Sequence, residues 1–112
     1  MSGIVEDLQL TPTVFTPLNI NANGNTVAIP AVSGKTAVLL AIGGASTTPV
    51  TLSAVQLQTG ASTPITQYMR VSTDGFFAAD GGVPIAMATK GEELRIGAGS
   101  DGFRGYAVGA YI

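Results

Sequence analysis

Between residues 50 and 59 the chain reads VTLSAVQLQT, in which Val50, Leu52 and Ala54 alternate with Thr51 and Ser53. The phase then shifts, so that Val55 and Leu57 alternate with Gln56 and Gln58. Alternation of period two places successive side chains on opposite faces of an extended chain. One extra residue near Ala54 and Val55, a β-bulge, accounts for the shift. A different pattern precedes it: KTAVLLAIGG, residues 35–44, has a continuous apolar core bounded by Gly34 and Gly43–Gly44, a pattern shared by a short buried helix, and its shortness and flanking glycines favour a central strand covered on both faces. NTVAIPAV after an Asn-Gly turn, ITQYMRV, ELRIGAG and FRGYAVGAYI complete a series of short strands. In the last of these Tyr106, Val108, Ala110 and Ile112 share one face, and Phe103, Ala107 and Tyr111 share the other.

Turn chemistry separates these segments. The similar words GASTTPVT from Gly44 and GASTPIT from Gly60 read as the same turn used twice, because their small polar residues suit turns, Pro49 and Pro64 restrict the chain as it enters each following strand, and no third copy follows. Asp74–Gly75, Asp80–Gly81–Gly82 and Lys90–Gly91 divide the stretch DGFFAADGGVPIAMATKGEE. The start differs. Pro12 and Pro17 withhold amides that an interior strand would donate, so residues 1–18 read as an extended arm or an edge strand. The expected architecture is all-β: one small antiparallel β-sandwich, jelly-roll or Ig-like, spanning residues 19–112 behind an N-terminal arm of residues 1–18.

Composition narrows the function. At 112 residues the chain makes one domain. Five cations and a net charge of −2 supply no broad basic surface, so nucleic acid is not an expected partner. No cysteine is present, hence no disulfide framework and no thiolate metal site. The opening MSGIVEDLQL has acids and no basic segment ahead of an apolar run, unlike a secretory signal, and AVLLAI falls far short of the ~20 residues of a spanning helix. Only 11% of residues are charged, a low share that burial between subunits would explain, so a homo-oligomer is expected.

Candidate chemistry is sparse. SGKT at residues 33–36 ends like a phosphate-binding loop, but Ile29 stands where that loop needs its first glycine, so a turn with a solvated Lys35 is the better reading. Asp74, Asp80 and Asp101 each precede glycine, as turn residues do, and match no EF-hand spacing, though carboxylates on separate loops are donors that calcium accepts. Glu92 and Glu93 are neighbours on a strand and point to opposite sides. Without His or Cys the commonest general base and the strongest thiol nucleophile are missing, so neither an enzyme nor a cofactor is expected. Phe76, Phe77, Tyr68, Tyr106 and Tyr111 are candidates for an aromatic sugar-binding platform, with core packing as the competing explanation.

GKTAVLLAIGG, GGVPIAMATKGEELRIGAG and the closing GYAVGAYI, in that order, resemble small β-sandwich virion proteins of tailed bacteriophages over roughly residues 24–112. The resemblance implies a non-enzymatic virion component, a capsid decoration or cement protein on the capsid surface. Its implied partners are the major capsid protein or another virion protein and further copies of itself, as a trimer. A tail, neck or fibre-associated module and a glycan-binding sandwich are the alternatives. The apolar anchors of the arm, Ile4, Val5, Leu8, Leu10, Val14, Phe15 and Leu18, are the expected partner contacts, with the arm lying across a neighbouring copy or the capsid and dispensable for folding.

Overall fold

The structure, a computed structural model, describes residues 9–47, 54–60, 63–66, 69–70, 75–99 and 102–112. Among these residues there are ten strands and no helix. In chain order they are β1 (Val14–Ile20), β2 (Asn25–Ile29), β3 (Ala37–Ser46), β4 (Ala54–Thr59), β5 (Thr63–Pro64), β6 (Met69–Arg70), β7 (Phe76–Ala79), β8 (Ala86–Met87), β9 (Leu94–Ala98) and β10 (Phe103–Tyr111).

They form two antiparallel sheets. The first runs β1-β10-β3-β7 with β8 also on β3, and the second runs β2-β9-β4-β5 with β6 also on β4. The first strand therefore pairs with the last, the second with the next to last, and the third and fourth with the strands folded between them. Such a hairpin, rolled up on itself, is a jelly-roll sandwich, and it decides between the two sandwich topologies that the strand pattern left open.

The inward residues match the alternation of each strand. Leu18 and Ile20 of β1, Leu39 and Ile42 of β3, Val55 and Leu57 of β4, Leu94 and Ile96 of β9, and Phe103 and Ala107 of β10 meet in one core between the sheets. Two bulges tune the fit. On β3, Val108 and Gly109 of β10 face Ala41 and Leu39, so Leu40 is the extra residue and the inward phase passes from Leu39 to Ile42. On β2, Ala28 is extra between Val27 and Ile29, and its carbonyl accepts a hydrogen bond from Thr16 Oγ of β1 at 2.6 Å. That bond ties the edge strand of one sheet to the edge strand of the other.

Several local expectations change. Gly44, Ala45 and Ser46 of the first GAST word are paired with β10 as the end of β3, whereas Gly60, at φ 62°, does occupy a turn. The same letters take two structures because small residues permit both, and the long partner strand decides. ITQYMRV is not one strand: β5 ends at Pro64, the chain bends at Ile65 and Thr66, and β6 begins at Met69. From Val55 to Thr59 β4 pairs with β9 without interruption, and the register shifts among the described residues lie in β2 and β3. Asp74, Asp101 and residues 48–53 lie outside the described residues.

The N-terminal segment needs the most revision. Val14 through Leu18 are paired with Gly109 through Gly105, so this part of the expected arm is an edge strand, where a proline such as Pro17 is tolerated. Leu18, 3% exposed, belongs to the core. Ahead of it, Thr13 N–H donates to the Gly109 carbonyl and Leu10 N–H to the Gly82 carbonyl at 2.8 Å, while Leu10 packs on Val38, Leu40 and Ala110. Residues 10–13 thus cross the outer side of the chain's own first sheet.

Three outcomes follow from this packing. A Cβ on Gly109 would run into Ile29 Cδ1 of the opposite sheet and sit 2.6 Å from the Val38 carbonyl oxygen, so Gly109→Ala will lower the urea unfolding free energy by about 1–3 kcal/mol. Thr16→Val keeps the shape but leaves the buried Ala28 carbonyl without its partner, and thermal and urea unfolding will register a loss of about 1–3 kcal/mol. Removing residues 1–18 takes away Leu18 and most of β1, so the truncated chain will lose its cooperative unfolding transition by circular dichroism.

Candidate functional site

Titratable groups are dispersed across the fold. Lys35 is exposed in the turn before β3, where its N–H donates to the Val32 carbonyl. Glu92 accepts a hydrogen bond from Thr59 Oγ at 2.9 Å, and Thr59 Oγ in turn accepts from the Thr89 amide at 2.8 Å, an arrangement that holds the β8–β9 connection to β4. Glu93 instead pairs with Arg95 at 3.4 Å, as expected for neighbours that point apart. Among the described residues no three acidic side chains gather to hold a metal ion.

The two outer sheet surfaces differ in kind. On the second sheet, Asn25, Gln56, Gln58 and Arg95 form a polar surface in which Arg95 donates to Asn25 Oδ1 at 2.8 Å and Gln58 donates to Gln56 at 2.9 Å. On the first sheet the outward positions are largely apolar, apart from Asn19 and Arg104. Phe15 is 69% exposed, Phe77 64%, Met87 53% and Ile112 57%. Leu10 sits between these groups on Val38, Leu40 and Ala110 and divides the face in two.

On one side of Leu10 is an aromatic shelf. The registers Pro17–Tyr106–Gly43–Phe77 and Phe15–Val108–Ala41–Ala79 place two cross-strand rows side by side over four strands, a width of about 14 Å at normal strand spacing. The Phe15 and Tyr106 rings are parallel within 4°, with centroids 5.7 Å apart, and Phe77 stands 6.4 Å from Tyr106. Gly43 makes this possible, because a Cβ there would lie 2.9 Å from Tyr106 Oη and 3.0 Å from the ring. Asn19 and Arg104, opposite each other on β1 and β10, lie along the next row. Arg104 Nη1 donates to the carbonyls of Ile20 at 3.2 Å and Phe103 at 3.4 Å, and no carboxylate among the described residues pairs with it.

On the other side Ile85 and Met87 project along the β8 edge. Ile112 exchanges backbone hydrogen bonds with Thr36, and Val32 occupies the turn just before Thr36. These four exposed apolar side chains lie on backbone segments joined at one end of the sandwich, with the exposed Lys35 and Lys90 on the turns beside them.

Of the residues singled out as partner contacts, Ile4, Val5 and Leu8 lie outside the described residues. Leu10 and Val14 pack on the chain itself and Leu18 is core, which leaves Phe15 as the exposed one. Of the aromatic candidates, the structure unites Phe77 and Tyr106 with Phe15. It turns Phe76 inward against Phe103, with ring centroids 6.0 Å apart, and sends the Tyr111 hydroxyl to the Pro30 carbonyl at 2.8 Å. Tyr68 lies outside the described residues. Sequence reasoning missed Ile85 and Met87, because an apolar residue on a two-residue strand carries no periodicity to show which way it faces. No family model, no curated protein and no solved structure matches the chain.

Proposed function

We propose that the protein is a non-enzymatic virion structural component, a capsid decoration or cement protein that docks on the major capsid protein or another virion protein and associates with copies of itself, as a trimer. The observation that carries this reading is the apolar end formed by Val32, Ile85, Met87 and Ile112, which lies open to solvent in a single chain. Large apolar side chains grouped on one surface favour burial against protein, at about 25 cal/mol per Å² removed from water. The jelly-roll topology is consistent with the reading, since viral capsid proteins use it, but lectins use it too, and the fold alone does not choose between them. Docking is assigned to this end and not to an N-terminal arm, because residues 10–18 are committed to the chain's own sheet.

The test uses particles that lack the protein. The pair Ile85→Lys and Met87→Lys places two charges on the apolar end without touching the core, and it will weaken binding to such particles by roughly 100-fold while leaving the thermal unfolding transition in place. Light scattering on the same samples will show the oligomer of the native chain shifting towards monomer. Undiminished particle binding by the double variant would remove this end as the docking surface.

A further inference from the structure

We infer that the aromatic shelf of Phe15, Tyr106 and Phe77 is a binding site for a saccharide that carries a carboxylate, with sugar rings lying on the aromatic faces and the carboxylate held by Arg104. The site lies across Leu10 from the end assigned to docking, so this inference stands apart from that reading.

Ring geometry supplies the first argument. Phe15 and Phe77 are among the most exposed large hydrophobic side chains described, and the Phe15 and Tyr106 rings, parallel and offset-stacked, present an apolar step whose outer ring face is open to a ligand. A pyranose has the matching character: C–H groups cover its faces and hydroxyls project from its rim, so a flat ring surface takes the face and nearby polar side chains take the rim. Asn19 and the Tyr106 hydroxyl, for which no bond is formed among the described residues, lie beside the rings for this purpose. An extended peptide has less to gain here. The backbone groups of β10 and β3 beneath Tyr106 are already engaged in the ladders on both sides, so strand addition is confined to β1 and β7 at the two margins of the shelf and would leave its centre uncovered. Leu10 also interrupts the surface on which a second sheet would need to lie flat.

Charge complementarity supplies the second argument. Arg104 lies two residues from Tyr106 on the same outer face of β10, exposed, with its Nη1 anchored on two backbone carbonyls. Its remaining N–H groups have no protein acceptor among the described residues, and the other arginine whose side chain is described, Arg95, is satisfied by Glu93 and Asn25. A guanidinium anchored on one nitrogen and open on the others is arranged to receive a carboxylate in its fork. With Arg104 the single cation at the shelf among the described residues, the fit is to one acidic group beside neutral rings and not to a polyanion.

The experiment titrates the full chain with sialyllactose, with tri-galacturonate and with the neutral lactose and cellotriose, reading amide shifts by NMR and heat by calorimetry. Saturable binding of at least one acidic saccharide is expected, with shifts centred on Phe15, Tyr106 and Phe77. Which acid binds separates a sialic-type from a uronate ligand. Arg104→Gln will weaken the acidic sugar by about tenfold or more and erase its advantage over the neutral one. Phe77→Ala will abolish binding of both kinds. Gly43→Ala, which pushes the Tyr106 ring off its seat, will reproduce the Phe77→Ala result in a chain that still unfolds cooperatively. Absence of saturable binding at millimolar sugar overturns the inference, as does binding that survives both Phe77→Ala and Arg104→Gln. Loss of particle binding in Phe77→Ala without any saccharide binding also overturns it and makes the shelf a protein interface.

Discussion

The antiparallel pairing of β10 with β3 is the contact on which the rest of the molecule depends. It joins the two longest strands, of nine and ten residues, at the centre of the first sheet, with β1 added on one side and β7 and β8 on the other. Its glycines set how closely everything else approaches. At Gly105 a Cβ would strike the Gly43 carbonyl, and at Gly109 it would strike Ile29 from the second sheet. The sandwich closes at this spacing because those positions carry no side chain, so the two glycines of β10 are a packing requirement.

Functional surfaces follow from the same pairing. The bulge at Leu40 keeps Leu39 and Ile42 facing the core while turning Val38 and Leu40 outward, which makes the outer side of the first sheet apolar and gives Leu10 something to cover. Beyond Leu10 the regular register resumes and places Tyr106 beside Gly43, with Phe15 and Phe77 on the flanking strands. A row of rings next to an anchored guanidinium is therefore a consequence of strand register across segments nearly ninety residues apart in the chain, Phe15 to Arg104. The opposite surface has a polar character, with Gln58 bonded to Gln56 and Arg95 bonded to Asn25.

Short-range physics accounts for what the chain itself determined. Alternation in AVQLQT and in the last strand, the continuous apolar run at Ala37–Ile42 and the Asp-Gly and Asn-Gly turns specify strands, faces and a β-sandwich, because these signals depend on neighbours only. The faces of β10 were legible to the residue: Phe103, Ala107 and Tyr111 point one way, Tyr106 and Ala110 the other. Tertiary structure alone decided where pairing overrides local preference. It made Gly44–Ser46 strand and Gly60 turn from the same word, turned Leu18 from an arm residue into core, and laid Leu10 on its own sheet. It also chose the jelly roll over other sandwiches and brought Phe15, Tyr106, Phe77 and Arg104 to one surface. Those outcomes depend on which distant strand lies alongside, and a proline-flanked apolar residue reads the same whether its partner is solvent, another molecule or the far end of its own chain.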